Sequence, residues 1–358
     1  MDETCDSELA TADGNWNLNH QRHVASGQPS GDTVRTMSDL SELPKLNPAQ
    51  QQVTDDLGAR PHDRPIFRDD LRDQLRYELE EALAPLLVSA TELPLFVSKR
   101  DLSLLHSCEA HYVADQQAEF AWTVPIARGA VAHKAIELLV AWRGQPTPLD
   151  LVDHAMARLE HDHRGVGPFL QTLDEAERAE LAGRANDFVA TFMETFPPLN
   201  RRWVPVAESR VRAELCDDNL TLQGRVDLSL GKANGTTAGK VLIDLKTGRP
   251  AASHVEDLRF YALLETLKLG VPPRLLVNYY LEAGQPRREQ VTEDLLWSTA
   301  RRLVDAVEKL VALSGPTPRL PLTAPGPGCH WCPAIDACLD GQRYLARSDD
   351  DLPEPEEL

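Results

Sequence analysis

Val241-Leu-Ile-Asp-Leu-Lys-Thr-Gly248 is an apolar run that ends in Asp-x-Lys before a Thr-Gly turn. Its first three residues carry the side chains of a buried strand. A carboxylate and an ammonium placed at the end of such a strand are costly to desolvate unless something compensates them. A second acid, Asp227, closes the string Gly224-Arg-Val-Asp227 just upstream. If the two strands are neighbours, both carboxylates can reach one divalent cation, and Lys246 shares a strand face with Asp244 because it is two residues on. An oxygen-ligated cation beside a lysine suits phosphodiester hydrolysis: the ion activates water and neutralises phosphate, and the lysine adds a point charge. The plain alternative is a surface Asp-Lys pair, worth at most about 1 kcal/mol.

Working outward, alternation predicts three strands over 203–215, 220–230 and 240–246, the last two joined by the glycine-bearing loop 231–239. A helix is expected over 255–267, a strand over 274–282 and a helix over 293–313. Upstream the period changes: Leu71, Leu75, Leu79, Leu83 and Leu86 recur at three- and four-residue spacing, which predicts an amphipathic helix. Ser98-Lys-Arg-Asp101 reads as a capping box opening a short helix through Cys108, and further helices are expected over 129–142, 150–162 and 174–194. The division expected is a disordered acidic extension over 1–62, one domain over 63–345 and an acidic disordered tail over 346–358. Within the domain, 63–200 is the mainly helical part, 201–314 the sheet core and 315–345 the cysteine region.

The 358 residues are 42% hydrophobic, ample for a core, and carry a net charge of -19. About twelve of those excess charges fall in the two terminal segments, leaving a mildly acidic body compatible with a local basic groove. No run approaches the roughly 20 apolar residues of a membrane span, and the acidic start is unlike a signal peptide, so the expected location is cytoplasmic. There is no Gly-x-x-x-x-Gly-Lys-Ser/Thr loop, so no nucleotide motor is expected in this chain.

Together these motifs resemble the PD-(D/E)XK nuclease superfamily, specifically the RecB- and AddB-type nuclease domains and their CRISPR-associated relatives, over roughly residues 95–344. The resemblance implies a restriction-endonuclease-like α/β fold with a mixed central sheet flanked by helices. It implies that Asp227 and Asp244 bind Mg2+ or Mn2+, that Lys246 is the catalytic lysine, and that Leu245 lends a backbone carbonyl to the metal. His133, in Gly129-Ala-Val-Ala-His-Lys-Ala-Ile-Glu137, is similar to the family's helical histidine ligand, with Glu137 one turn on. Glu208 stands where these nucleases often carry an acid; an ordinary strand-face glutamate accounts for it equally. The family's Gln-x-x-x-Tyr helix motif reads Asp257-Leu-Arg-Phe-Tyr261 here: Tyr261 matches as a substrate-positioning residue, and Asp257 replaces the glutamine. Asp257, Arg225 and Arg259 are candidates for contact with substrate. The activity implied is metal-dependent hydrolysis of DNA, exonucleolytic, on single strands or end-opened duplex, in repair or processing, with a separate helicase as a candidate partner. The competing class is a catalytically inactive nuclease fold that binds DNA or a partner protein.

Four of the six cysteines form a pattern, Cys108 and then Cys329, Cys332 and Cys338. Four thiolates suit either a tetrahedral Zn2+ or a [4Fe-4S] cluster, and spacing alone does not choose. The resemblance implies the cluster, as a staple joining the two ends of the domain. Trp331 is expected to pack against it, with stacking on a base as the other use. Cys5 and Cys216 are read as ordinary residues.

Overall fold

The computed structural model describes residues 45–350, apart from residue 164. Residues 1–44 of the expected extension and 351–358 of the expected tail lie outside the described residues. In chain order the elements are α1 (Pro48–Leu57), α2 (Leu71–Leu87), β1 (Leu95–Val97), α3 (Lys99–Ser107), α4 (Glu109–Gln117), α5 (Val124–Ala141), α6 (Pro148–Glu160), α7 (Gly167–Thr172), α8 (Glu175–Thr195), β2 (Val206–Leu215), β3 (Leu220–Leu230), β4 (Val241–Lys246), α9 (Ser253–Leu269), β5 (Leu275–Tyr280), β6 (Gln285–Gln290), α10 (Glu293–Ser314) and α11 (Leu339–Asp350).

The long strand β3 is the hub of a mixed six-stranded sheet. β2 runs antiparallel along it from Val206 opposite Ser229 to Leu215 opposite Leu220. On its other edge two strands share the length: β1 pairs in parallel with Leu220–Leu222, and β4 pairs antiparallel with Leu228–Leu230. Residues 223–227 lie between those two ladders, and this interruption is where the site forms. β5 continues the sheet parallel to β4, and β6 closes it antiparallel.

Helices cover both faces. One layer packs the leucine stripe of α2 (Leu71, Leu75, Leu79, Leu83) with α3, α9 and α10 against Leu242 and Leu276. The other packs α1, α5, α6, α7 and α8 against Ile243, Leu245, Val277 and Tyr279. β4 and β5 are thus buried on both sides, the physical reason their sequences are apolar runs rather than alternations. Each leucine of the α2 stripe is at most 2% exposed and contributes about 1.5–3 kcal/mol.

The mixed sheet flanked by helices is the expected architecture, and the Ser98–Asp101 capping box opens α3. The boundary at residue 62 is corrected. Pro48–Leu57 is a helix whose Asn47 forms a capping box with Gln50 and whose Val53 and Leu57 are buried in the second layer. Two apolar anchors in a polar stretch were too few to show as a period. α11 likewise runs past residue 345. α5 begins at Val124 rather than 129, because Pro125 sits in the first turn, where a missing N–H costs nothing. β1, α4, α7 and β6 were not foreseen. β6 is an exposed edge strand carrying Pro286, Arg287 and Arg288, the polar composition that protects an edge.

Candidate active site

The β3–β4 ladder ends at Leu228 opposite Ile243. One more rung would set Asp227 against Asp244, but there the backbones part. The Asp227 carboxylate enters the gap, where its Oδ2 accepts a hydrogen bond from the Leu245 amide at 2.7 Å. Leu245 therefore meets the acid through its N–H, an atom separate from the carbonyl expected as a metal ligand. A carboxylate bound by a backbone amide is fixed in one rotamer without losing its other oxygen.

That oxygen, Oδ1, lies 3.4 Å from His133 Nδ1 on α5. Burial opposes charge on the imidazole, but Asp227, together with Asp244 and Glu208, outweighs it and raises the histidine's pKa. Burial likewise works against the Asp227 anion, yet His133 and the Leu245 amide hold its pKa below the usual value. Glu208 joins this pair from β2: ligand atoms of His133, Glu208 and Asp227 all lie within 4.8 Å of one another, the one such group among the described residues. Glu208 has φ +52°, the left-handed region that a residue with a Cβ avoids, at a cost on the order of 1–3 kcal/mol. The distortion interrupts the β2–β3 pairing between Ala207 and Ser209 and is the local feature that accompanies Glu208's place beside Asp227. Burial and the Asp227 charge push the Glu208 carboxyl up, against the pull of Arg225.

Asp244 lies near that group, adding to the pull that raises the His133 pKa, and is 2% exposed. Its Oδ2 is 2.6 Å from Lys246 Nζ, and its Oδ1 accepts from Lys99 Nζ at 3.2 Å. Asp257 on α9 reaches the same two lysines, at 3.2 Å from Lys246 and 3.6 Å from Lys99. Two acids and two lysines thus alternate around one point. Lys99 was missed, because in sequence it is only the first residue after a cap; α3 places it over the Tyr261 ring, 5.2 Å from the centroid. Burial would lower its pKa, but Asp244, Tyr261 and Asp257 keep its ammonium charged.

The donor chemistry fits a hard divalent cation. Asp244 Oδ2 and Glu208 Oε2 are shielded from solvent, and each has a cation within 2.8 Å but no aligned hydrogen bond. These are spare carboxylate lone pairs beside an imidazole, the donor set such an ion takes.

Several sequence-predicted contacts fall elsewhere. Tyr261 is 3% exposed and lies against Gly224, where an added Cβ would come within 2.3 Å of its ring, with Lys99 over the ring face. Arg259 is claimed by Glu289 and Glu256, so its charge is already neutralised. Arg225 pairs with Glu208 at 2.8 Å and is otherwise exposed. Glu137 is engaged by Lys134 rather than by His133.

The four cysteines of the pattern line one cavity of about 270 Å3. Arg319 makes it possible: it grips Glu109 through two hydrogen bonds, and the Leu322 amide adds a third, drawing the extended connector onto α4 beside Cys108. Backbone amides face the sulfurs: Ala324 to Cys108 at 3.5 Å, Gly326 to Cys329 and Gly341 to Cys338 at 3.4 Å each. Burial, with the other three sulfurs, raises the Cys332 pKa against the Ala334 amide. No three of the sulfurs come within 4.8 Å of one another. Trp331 is 76% exposed, so it does not pack against the cavity as expected.

A carboxylate–histidine metal group facing a lysine pair at the broken edge of a mixed sheet is the arrangement of a metal-dependent nuclease. The profile of the PD-(D/E)XK nuclease superfamily matches residues 97–339, and the chain belongs to that superfamily, whose nucleases use divalent metals. No curated protein matches. Among solved structures, the chain is similar to the crystal structure of "Putative exonuclease" from Eubacterium rectale, at 10% identity and a TM-score of 0.39, covering 73% of this chain and 91% of that one. It is also similar to that of SSO0001, at 14% identity and a TM-score of 0.31, covering 75% and 97%. Among the described residues, no helix is long and apolar enough to cross a membrane.

Proposed function

We propose that this superfamily member is a RecB/AddB-type deoxyribonuclease that uses Mg2+ or Mn2+ and digests single-stranded or end-opened DNA exonucleolytically in repair or processing. The observation that carries the reading is the convergence of His133, Glu208 and Asp227 beside Asp244 and Lys246. His133, Glu208, Asp227 and Asp244 are the residues that would hold the ion. Bound there, the cation supplies Lewis-acid activation of water and charge neutralisation at the phosphate. Lys246 supplies a donor and a positive charge at the scissile phosphate or the attacking water. Asp257, where the family has glutamine, acts as the counter-charge that holds the Lys246 ammonium near Asp244. Asp227, locked by the Leu245 amide, orients His133.

The proposal extends to a cytoplasmic protein with a separate helicase as partner. It also includes a [4Fe-4S] staple on Cys108, Cys329, Cys332 and Cys338. A single Zn2+ with Zn–S bonds of about 2.3 Å requires four sulfurs roughly 3.8 Å apart, and no three of these lie within 4.8 Å of one another. A larger cluster, with amides donating to its sulfurs, suits the space. Protein purified without air should be brown and contain about four irons and four sulfides per chain; a colourless, zinc-loaded protein would refute the cluster.

The activity test is a Mg2+ or Mn2+ assay on end-labelled single- and double-stranded DNA, with wild type compared with Lys246→Ala and Asp244→Ala. Degradation from one end by wild type alone is expected. Background signal from all three refutes the enzyme and leaves the non-cutting binder.

A further inference from the structure

A cavity of about 570 Å3 lies at the other end of the strands, between the loop 231–240, the start of β5 and the segment after α1. Four cations line it, Arg64, Arg202, Lys232 and Arg274, and no aspartate or glutamate does. This is unexpected in a chain with 56 acids against 37 lysines and arginines. Elsewhere several of its arginines are paired: Arg259 with Glu289, Arg288 with Asp56, Arg319 with Glu109. Among the described residues, none of the four cavity cations makes an ion pair.

Arg64 and Arg274 are half-buried, and the Nε of each is shielded from solvent without a hydrogen bond. Arg274 is fastened by one contact, to the Leu57 carbonyl. Burial and the neighbouring Arg64 charge pull its pKa down to about 10. Two guanidiniums brought together without an acid repel each other unless an anion bridges them, and their planar forks match phosphate. The loop is tightened to form this wall. Gly231 has φ +78°, and a Cβ on Gly239 would come within 2.1 Å of the Lys232 carbonyl oxygen, so only glycine closes it. Trp203, half-buried on the rim, adds a flat apolar surface, and the volume falls in the range of small-ligand sites.

We propose that this cavity binds a phosphomonoester with a planar body, the class of a nucleoside monophosphate, with the phosphate between Arg64 and Arg274 and the ring toward Trp203. The site is distinct from the nuclease centre: Val241 on its rim is three residues along β4 from Asp244, about 10 Å away.

The test is calorimetric titration of the full chain, in EDTA so that no catalytic metal contributes, with inorganic phosphate, deoxyadenosine monophosphate and deoxyadenosine. Wild type and Lys246→Ala should bind the monophosphate alike and phosphate more weakly, and neither should bind the nucleoside. Arg64→Ala should weaken monophosphate binding by about tenfold or more, and Arg64→Lys should recover part of it. Melting curves establish that each variant is folded; Arg202→Ala, on the exposed rim, serves if Arg64→Ala is not. No binding by wild type, equal binding of the nucleoside, or unchanged affinity in folded Arg64 and Arg202 variants overturns the proposal. Because Lys246→Ala keeps the site, loss of nuclease activity and loss of this binding are read separately.

Discussion

Lys99→Met is the most informative perturbation of the active site. The ammonium lies 3.2 Å from Asp244 and 3.6 Å from Asp257, and Asp244 is almost fully buried. Removing one partner of a fully buried ion pair costs about 3–5 kcal/mol. Here the loss is partial, because Lys246 remains at 2.6 Å from Asp244 and 3.2 Å from Asp257, and Lys99 itself keeps some solvent contact. The expected cost in metal-free protein is the value of a charged hydrogen bond, about 1.5–3 kcal/mol, which lowers the melting temperature by several degrees. The deficit of positive charge favours a divalent cation, so Mg2+ or Mn2+ should stabilise the variant more than wild type. Circular-dichroism melts in EDTA and in Mn2+ measure both. Equal melting temperatures in EDTA together with equal Mn2+ shifts would refute the view that two lysines jointly neutralise these carboxylates.

Asp227→Asn keeps an acceptor for the Leu245 amide but removes the charge facing His133, so the fold should persist while Mn2+ affinity, measured by calorimetry, falls at least about tenfold. Gly224→Ala drives a methyl into the Tyr261 ring and should cost about 1–3 kcal/mol in urea unfolding, with Tyr261→Phe giving no relief because the clash is with the ring carbons. Glu109→Gln should loosen the connector that carries three of the cysteines. Arg319 is the main cause of the depressed Glu109 pKa, ahead of the opposing effect of burial, so the stabilisation is present above the unfolded carboxyl pKa of about 4.3 and is lost as pH falls through the lower folded value. The wild-type advantage over Glu109→Gln should therefore be full at pH 7 and vanish in strong acid, measured by denaturant unfolding at each pH.

How far the site could be read depends on where each residue's partners lie along the chain. Asp227, Asp244 and Lys246 were legible because polar groups at the end of buried strands are conspicuous in any sequence. His133 needed the resemblance, since one histidine on an apolar helix has no local signal. Lys99 had none: its role exists only because α3 and α9 pack side by side over the end of β4. Arg259 illustrates the reverse case. Its nearness to the motif suggested phosphate, but the polar strand β6, itself invisible as a period, brings Glu289 to claim it.

The sequence by itself determined the α/β class, the helix cores, the capping box at Ser98 and the acidic–lysine centre, because hydrophobic period and the cost of buried charge are local properties. Tertiary structure alone decided the geometry around that centre. It set the left-handed turn that accompanies Glu208's place beside Asp227, the paired lysines and the arginine-lined cavity beyond Val241. Each of these depends on residues far apart in the chain whose charges matter only at contact distance, and a one-dimensional pattern carries no distance across the sheet.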